Sequence, residues 1–477
     1  MMKKIFLFVA ILCFSSTSMG ASSPADLQIS ALFVDLTHPK ILNEDNPNKR
    51  LIPASVTKLF VADTALKQFG RTYSFATPLY VRGQLDQGIL KGDLVLYGVG
   101  DPMLINERIE ELTAILHKSG IKEIHGNIVI NNSYFGVIKP NDPDRLKAKT
   151  NSAESYNGLL SSSGSNFGTI SVSVIPAKQE GQPATVSLIP GTLDNTILTG
   201  SVMTSHHAGE PIKLMRESKD FKELLQISGS VLIKALPITI YRSAGYPDLA
   251  TGAVLKYFLQ QAGISVIGSI QVESTPLKQN DKLLLQEYNH PLSETISAML
   301  IYSNNYIADM LTLDLWQREH HSSRISLAKA SNYLLNDYNK MKNHSVFATK
   351  NASLPIFMSG SGLTTTNRLS ALDLVILLEG MHKDTSNFPV FYAALTIPGQ
   401  SSDWRHIKTS EHPWMNRVTV KTGSLSDPVL VYTLAGYFRM KNGDLGAFAI
   451  LLNQPGTNRA GIEHQLVSRL DKFFESH

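Results

Sequence analysis

Two parts of this chain that make chemical sense only in contact lie about 245 residues apart. Ser55-Val56-Thr57-Lys58 opens an apolar helical pattern behind Pro53, and Ser303-Asn304-Asn305 interrupts a second one; Lys421-Thr422-Gly423 follows later. A serine hydroxyl is a poor nucleophile until a base removes its proton. Residues three apart share a helix face, so Lys58 is expected beside the Ser55 oxygen. A lysine serves as base only when burial or neighbouring positive charge lowers its pKa, and Lys421 is such a neighbour. Ser303 is suited to relay a proton to a leaving nitrogen, and Asn305 to hold Lys58 and a substrate amide. Lys421-Thr422-Gly423 reads as a strand that pairs edge-on with an extended peptide. Gly423 lets that peptide approach, and the amides of Ser55 and Ser424 would hold an oxyanion.

Position separates these motifs from their look-alikes. Ser-x-x-Lys recurs at Ser119–Lys122 and Ser326–Lys329. Ser119 stands before Gly120 and a strand, with no helix face to share, and Ser326 comes after the second motif and reads as a solvated helix residue. Lys408-Thr409-Ser410 lacks the glycine. Gly98-Val99-Gly100-Asp101-Pro102 is a turn rather than a nucleotide loop, because the full Gly-x-Gly-x-x-Gly is missing and Pro102 stands where a phosphate-binding helix would begin.

The N-terminus has the form of a secretory leader over residues 1–20: Lys3 and Lys4, an apolar run from Ile5 to Phe14, then Ser18 and Gly20 at the small positions before Ala21. Cleavage would remove Cys13, the single cysteine, and with it any disulfide or thiol chemistry. The chain has 44 Lys+Arg and 40 Asp+Glu, and losing the two leader lysines leaves 42 basic residues. That near balance, with no basic block carrying aromatics, argues against a nucleic-acid partner. No later stretch is long and apolar enough for a transmembrane helix.

Hydrophobic periodicity predicts a strand over 29–36, a helix over 55–69, and a mixed α/β region with strands at 75–81, 93–97 and 124–130 around a helix over 105–117. Residues 150–245 are rich in Ser, Gly, Thr and Pro, with short strands such as 169–175 and 231–241. A helix over 247–262, a strand over 264–272, and a long helical stretch over 292–320 broken near 303–305 follow. The last part holds a helix over 371–381, strands at 418–421, 430–440 and 447–452, and a helix over 459–474.

Together the motifs resemble those of the class C low-molecular-mass penicillin-binding proteins, the D-alanyl-D-alanine carboxypeptidase/endopeptidases. The resemblance covers essentially the whole chain after the leader. It includes Pro53–Lys58, Leu90-Lys91-Gly92-Asp93-Leu94, Gly98–Pro102, Tyr156-Asn157-Gly158-Leu159-Leu160, Ser303–Asp309, Gly360-Ser361-Gly362-Leu363, Lys421–Leu425 and Ala435-Gly436-Tyr437. It departs after Leu425, where Asp427-Pro428 and Val429–Tyr432 lengthen a turn, and around Trp404 and Arg405. The resemblance implies an α/β (α+β) multidomain fold. A serine β-lactamase/transpeptidase-like catalytic domain (21–75 and 285–477) would carry a large insertion between the first two motifs. That insertion would form one α/β domain (76–150 and 245–284) and one β-rich domain (151–244). The resemblance further implies Ser55 as nucleophile, Lys58 as base, Ser303, Asn305 and Lys421 assisting, and Thr422, Gly423 and Ser424 binding substrate, with no cofactor and no metal. The implied partners are peptidoglycan stem peptides and cross-bridges, and β-lactams as covalent inhibitors. The implied compartment is the periplasm.

Two other readings compete. A serine β-lactamase is favoured by Tyr302-Ser303-Asn304, which matches a Tyr-x-Asn pattern; the frame Ser303–Asn305 is preferred because Ala308 and Leu311 then fall in register. A catalytically inactive wall-binding protein is the other, against which stand the intact motif residues. The pairs His206-His207 and His320-His321 lack zinc-protease spacing. Leu466, Leu470, Phe473 and Phe474 on the last helix suit either contact with a membrane surface or packing on the catalytic sheet, the latter preferred.

Overall fold

The computed structural model describes residues 27–139, 154–207, 209–322, 324–349, 353–400, 407 and 409–477. The leader and the pair Trp404 and Arg405 lie outside the described residues.

A five-stranded antiparallel sheet organises the first and last parts of the chain. Its strands are β1 (Gln28–Asp35), β2 (Lys40–Asp45), β3 (Val418–Leu425), β4 (Val429–Arg439) and β5 (Leu445–Pro455), in the order β2-β1-β5-β4-β3. β4 and β5 are apolar on both faces and buried almost end to end, because helices cover both sides. Alternation along each strand sends successive side chains to opposite layers. One face sends Val34, Ala435, Ala449 and Leu451 into a core with α1 (Lys58–Phe69), α4 (Asn305–His320) and α5 (Ala371–Lys383). The other sends Phe33, Leu434, Phe448 and Ile450 against Leu466, Leu470 and Phe473 of α6 (Arg459–Ser476). Phe33 stacks on Phe473 with ring centroids 4.0 Å apart. Burying each such ring contributes about 2 kcal/mol. The apolar stripe of α6 is thus taken up by the sheet.

Between α1 and α3 (Leu292–Ile301) the chain leaves this layer. Ser74–Asp86 and Ile89–Tyr97 form the middle of a seven-stranded mixed sheet, packed by Asn106–Lys118 and α2 (Pro247–Gln261). Smaller sheets follow between residues 169 and 243. One apolar cluster joins them all, running from Leu79, Leu94 and Leu255 to Ile170, Val172, Leu225 and Ile227.

Several expected elements differ. The single strand over 231–241 is two, Ser230–Leu232 and Ile238–Ser243, on either side of Pro237, which has no amide to give a ladder. The strand over 264–272 is Ser265–Val266 and Ile270–Glu273, interrupted at Gly268. The polar segment after Pro39 is the edge strand β2, whose largely exposed side chains gave no apolar alternation to read. The turn after Leu425 is short: only Ser426–Pro428 separate β3 from β4, and Val429–Tyr432 lie in the strand.

Candidate active site

Ser55 sits in a 3-10 turn, Ala54–Thr57, that leads into α1. Residues three apart eclipse one another in such a turn, so Lys58 at the first position of α1 lies directly over Ser55. The Lys58 Nζ is 2.9 Å from Ser55 Oγ. It also donates to Asn305 Oδ1 at 2.7 Å and to the Ser361 carbonyl at 2.7 Å. Lys58 is fully buried, while Ser55 keeps partial exposure.

These partners suit Lys58 in either protonation state. The carbonyl oxygens of Asn305 and Ser361 only accept hydrogen bonds, whereas a serine hydroxyl both donates and accepts. A neutral amine has two N–H groups and one lone pair. With Lys58 neutral, the two carbonyls can take its two N–H groups while its lone pair faces the Ser55 hydroxyl, as a base needs; with Lys58 protonated, all three oxygens can accept from it.

Asn305 reaches Lys58 because α3 and α4 are broken between them. Ser303 adopts a left-handed backbone (φ 52°) that turns the chain. Asn304 then caps α4, its Oδ1 accepting from Ile307 N at 3.1 Å, which leaves Asn305 at the first helical position. The Asn305 Nδ2 donates to the Tyr156 carbonyl at 3.3 Å. Ser361 is held in turn by Asp309, whose Oδ1 accepts from Ser361 N at 2.7 Å.

The strand β3 closes the third side. Lys421 is buried, its Nζ donating to the Thr422 carbonyl at 2.9 Å; Thr422 pairs with Leu434 and Gly423 with Thr433. A Cβ on Gly423 would lie 2.3 Å from Thr433 Oγ1, 2.8 Å from Ser55 N and 3.0 Å from Pro53 O. The small residue therefore makes room for the protein's own chain, which brings β3 against the Ser55 amide. Ser424, next along the strand, is exposed. Hydrogen bonds join Ser55, Lys58 and Asn305 into one group, with Gly423 packed against the Ser55 backbone; Ser303 lies two residues before Asn305 in the chain.

The turn bearing Ser55 is strained. Ala54 has φ 51°, a left-handed conformation that costs a non-glycine residue about 1 kcal/mol or more. Several buried groups hold it. Thr57 Oγ1 donates to Ala54 O at 2.8 Å and Thr433 Oγ1 to Pro53 O at 2.8 Å. Gly362 fits beneath, where a Cβ would lie 1.9 Å from Ala54 O.

Sequence reasoning assigned no role to Ser361, Tyr156, Thr433 or Asn453. Ser361 and Tyr156 act through backbone carbonyls, for which no residue type is diagnostic. The two stray Ser-x-x-Lys matches have local roles: Ser326 Oγ accepts from Lys329 N at 3.1 Å at a helix start, and Ser119 Oγ donates to Ile115 O at 2.9 Å at a helix end. Among the described residues, one group has the spacing to hold a metal ion, Asp35, His38 and Asp444. It lies where Asp35 pairs with Gly446, at the opposite end of β1 from Gln28, and shares no residue with the site. The two histidine pairs are engaged otherwise, His320 stacking on Trp316 and His206 lying 3.9 Å from Glu180.

Comparison with known proteins points one way. A family model described as the D-Ala-D-Ala carboxypeptidase 3 (S13) family matches residues 21–473. The D-alanyl-D-alanine carboxypeptidase of Actinomadura sp. (strain R39) is 26% identical over 461 residues, 92% of this chain and 80% of the relative. The crystal structure of penicillin binding protein 4 (dacB) from Haemophilus influenzae is similar with a TM-score of 0.74 at 22% identity, covering 95% of this chain and 97% of that one. A penicillin G acylated predatory endopeptidase, Bd3459 from Bdellovibrio bacteriovorus, in complex with its immunity protein Bd3460, gives a TM-score of 0.51 at 16% identity, with 94% and 93% covered.

Proposed function

The chain belongs to the D-Ala-D-Ala carboxypeptidase 3 (S13) family, and from that premise we propose that Ser55 is the nucleophile of a serine-type D-alanyl-D-alanine carboxypeptidase/endopeptidase. The observation that carries the assignment is the bond set of Lys58, two obligate acceptors and the Ser55 hydroxyl. Lys58 takes the Ser55 proton as Oγ attacks the carbonyl of a D-Ala–D-Xaa bond in a peptidoglycan stem peptide or cross-bridge. The amides of Ser55 and Ser424 hold the tetrahedral oxyanion, a role supported by the contact of Gly423 with the Ser55 backbone. Ser303 carries the proton to the leaving amine, with Lys421 lending positive charge nearby. Asn305 orients Lys58 and the substrate amide, and the edge strand β3 at Thr422–Ser424 pairs with the substrate backbone. Water then hydrolyses the acyl-enzyme.

β-Lactams acylate the same serine, a reading supported by the penicillin-acylated relative. The periplasm is the compartment that fits a cell-wall substrate and the leader-like N-terminus. Among the described residues, no helix is long and apolar enough to cross a membrane. The test is release of D-alanine from a diacetyl-L-Lys-D-Ala-D-Ala peptide and of monomers from cross-linked muropeptide dimers. Wild type cleaves and Ser55→Ala does not; cleavage retained by Ser55→Ala would reject the assignment.

A further inference from the structure

We infer that the inserted region positions the catalytic asparagine: Asp248 and Tyr306 lock the segment 156–165 against α4 and thereby fix Asn305. The inference rests on the role proposed for Asn305.

The segment from 156 to 165 belongs to the part of the chain between the first two motifs, yet it contacts the second motif directly. Tyr156 O accepts from Asn305 Nδ2 at 3.3 Å. Tyr306, the next residue along, is buried and aims its hydroxyl at Ser161 O (3.3 Å) and Gly164 O (3.2 Å). Its ring meets Phe167 edge-on, with centroids 6.4 Å apart.

The same segment is tied from behind to α2. Ser161, Ser162, Ser163 and Ser165 are all buried, and buried polar groups need partners. Asp248, in the first turn of α2, provides two of them. Its Oδ1 accepts from Ser161 Oγ and, at 2.7 Å, from Ser163 Oγ; its Oδ2 accepts from Asn132 Nδ2 at 2.7 Å. A carboxylate at a helix N-terminus is favoured by the helix dipole. Thr251, one turn on, accepts from Ser165 N at 2.8 Å and donates to Ser165 Oγ at 3.0 Å. Hydrogen bonds thus tie α2 to Ser161, Ser163 and Ser165, and Ser161 and Gly164 to Tyr306; the chain itself links them to Tyr156 and Asn305, and hydrogen bonds join Tyr156 to Asn305 and Asn305 to Lys58.

This geometry matters for rate. Asn305 has one carbonyl for Lys58, and its amide group is held the right way round by Tyr156 O. If the segment relaxes, Asn305 is free to rotate and Lys58 loses one of its two obligate acceptors. Displacing a catalytic group by about 1 Å costs up to roughly 100-fold in rate. Asp248 and Tyr306 touch no reacting atom and are positioning residues.

The experiment is a double-mutant cycle read as the acylation rate constant for a fluorescent penicillin, with the fraction of titratable sites measured alongside. Asp248→Ala and Tyr306→Phe are each made alone and on Asn305→Ala. Each single variant is expected to acylate about tenfold more slowly while still labelling one site per molecule. On Asn305→Ala neither substitution should slow acylation further, because the path already ends there. Equal slowing on both backgrounds, or a fall only in the titratable fraction at unchanged rate, would overturn the inference. A wild-type protein that penicillin does not acylate would instead reject the proposed function.

Discussion

Asn453 grips Ile52 with both ends of its amide: its Oδ1 accepts from Ile52 N at 2.8 Å and its Nδ2 donates to Ile52 O at 3.1 Å. The side chain of a sheet residue thus imitates a neighbouring strand for the segment that runs into Ser55. With Thr433 bonded to Pro53 O, it holds the turn that keeps Ala54 left-handed. Asn453→Ala orphans two backbone groups in a buried place. Each orphan costs about 1–3 kcal/mol, so denaturant unfolding should show a loss of about 2 kcal/mol or more. Acylation by penicillin should slow as well. An unchanged unfolding midpoint and rate would show that the grip is dispensable.

Gly423→Ala should damage catalysis more than folding. Its Cβ would collide with Thr433 Oγ1 and with the backbone at Ser55 N. Trimming Thr433 relieves only the first contact. The prediction is an acylation rate constant reduced by about 100-fold and not restored by adding Thr433→Ala. Restoration by the double variant would show that the Ser55 backbone contact is unimportant.

Lys58→Arg removes the base, because a guanidinium does not deprotonate in proteins. It also forces a larger planar group into a fully buried site. Acylation and peptide cleavage should both fall by about 1,000-fold. A variant within tenfold of wild type would mean that the proton goes elsewhere.

The central helix α4 carries a pH-sensitive carboxyl. Asp314 is buried, and desolvation raises its pKa to about 7 despite the Tyr134 hydroxyl at 2.6 Å and the nearby Arg318. Unfolded, the group titrates near 3.8. The folded state therefore binds the proton more tightly. Its contribution to stability is full below the unfolded value and is lost as pH rises through about 7. Asp314→Asn should remove this dependence. Relative to the variant, the wild type should lose about 2 kcal/mol between pH 5 and 7.5, read from urea unfolding at each pH. Parallel curves for the two proteins would contradict the assignment.

What could be read in the sequence depended on whether a role belongs to a side chain. Ser55 and Lys58 announce themselves by a spacing that survives even though Ser55 sits in a 3-10 turn and the α-helix begins only at Lys58. Asn305 was legible because a polar triplet broke an apolar helix, and the left-handed Ser303 and capping Asn304 are the physical content of that break. Ser361 and Tyr156 stood in segments that carry the resemblance, but their roles were not legible, since each offers only a carbonyl that any residue has. The packing of α6 was visible in Leu466, Leu470 and Phe473, whereas the edge strand β2 was hidden by its exposed, polar side chains. Gly423 was noticed for the right reason, close approach, but the group that approaches includes the chain's own Ser55 amide.

The most direct test of the central claim is the intact mass of the purified protein with and without benzylpenicillin, beside Ser55→Ala. The account predicts an added mass of one penicillin on the wild type and none on the variant. An adduct that persists in Ser55→Ala, or a wild type that leaves penicillin intact and gains no mass, would contradict it.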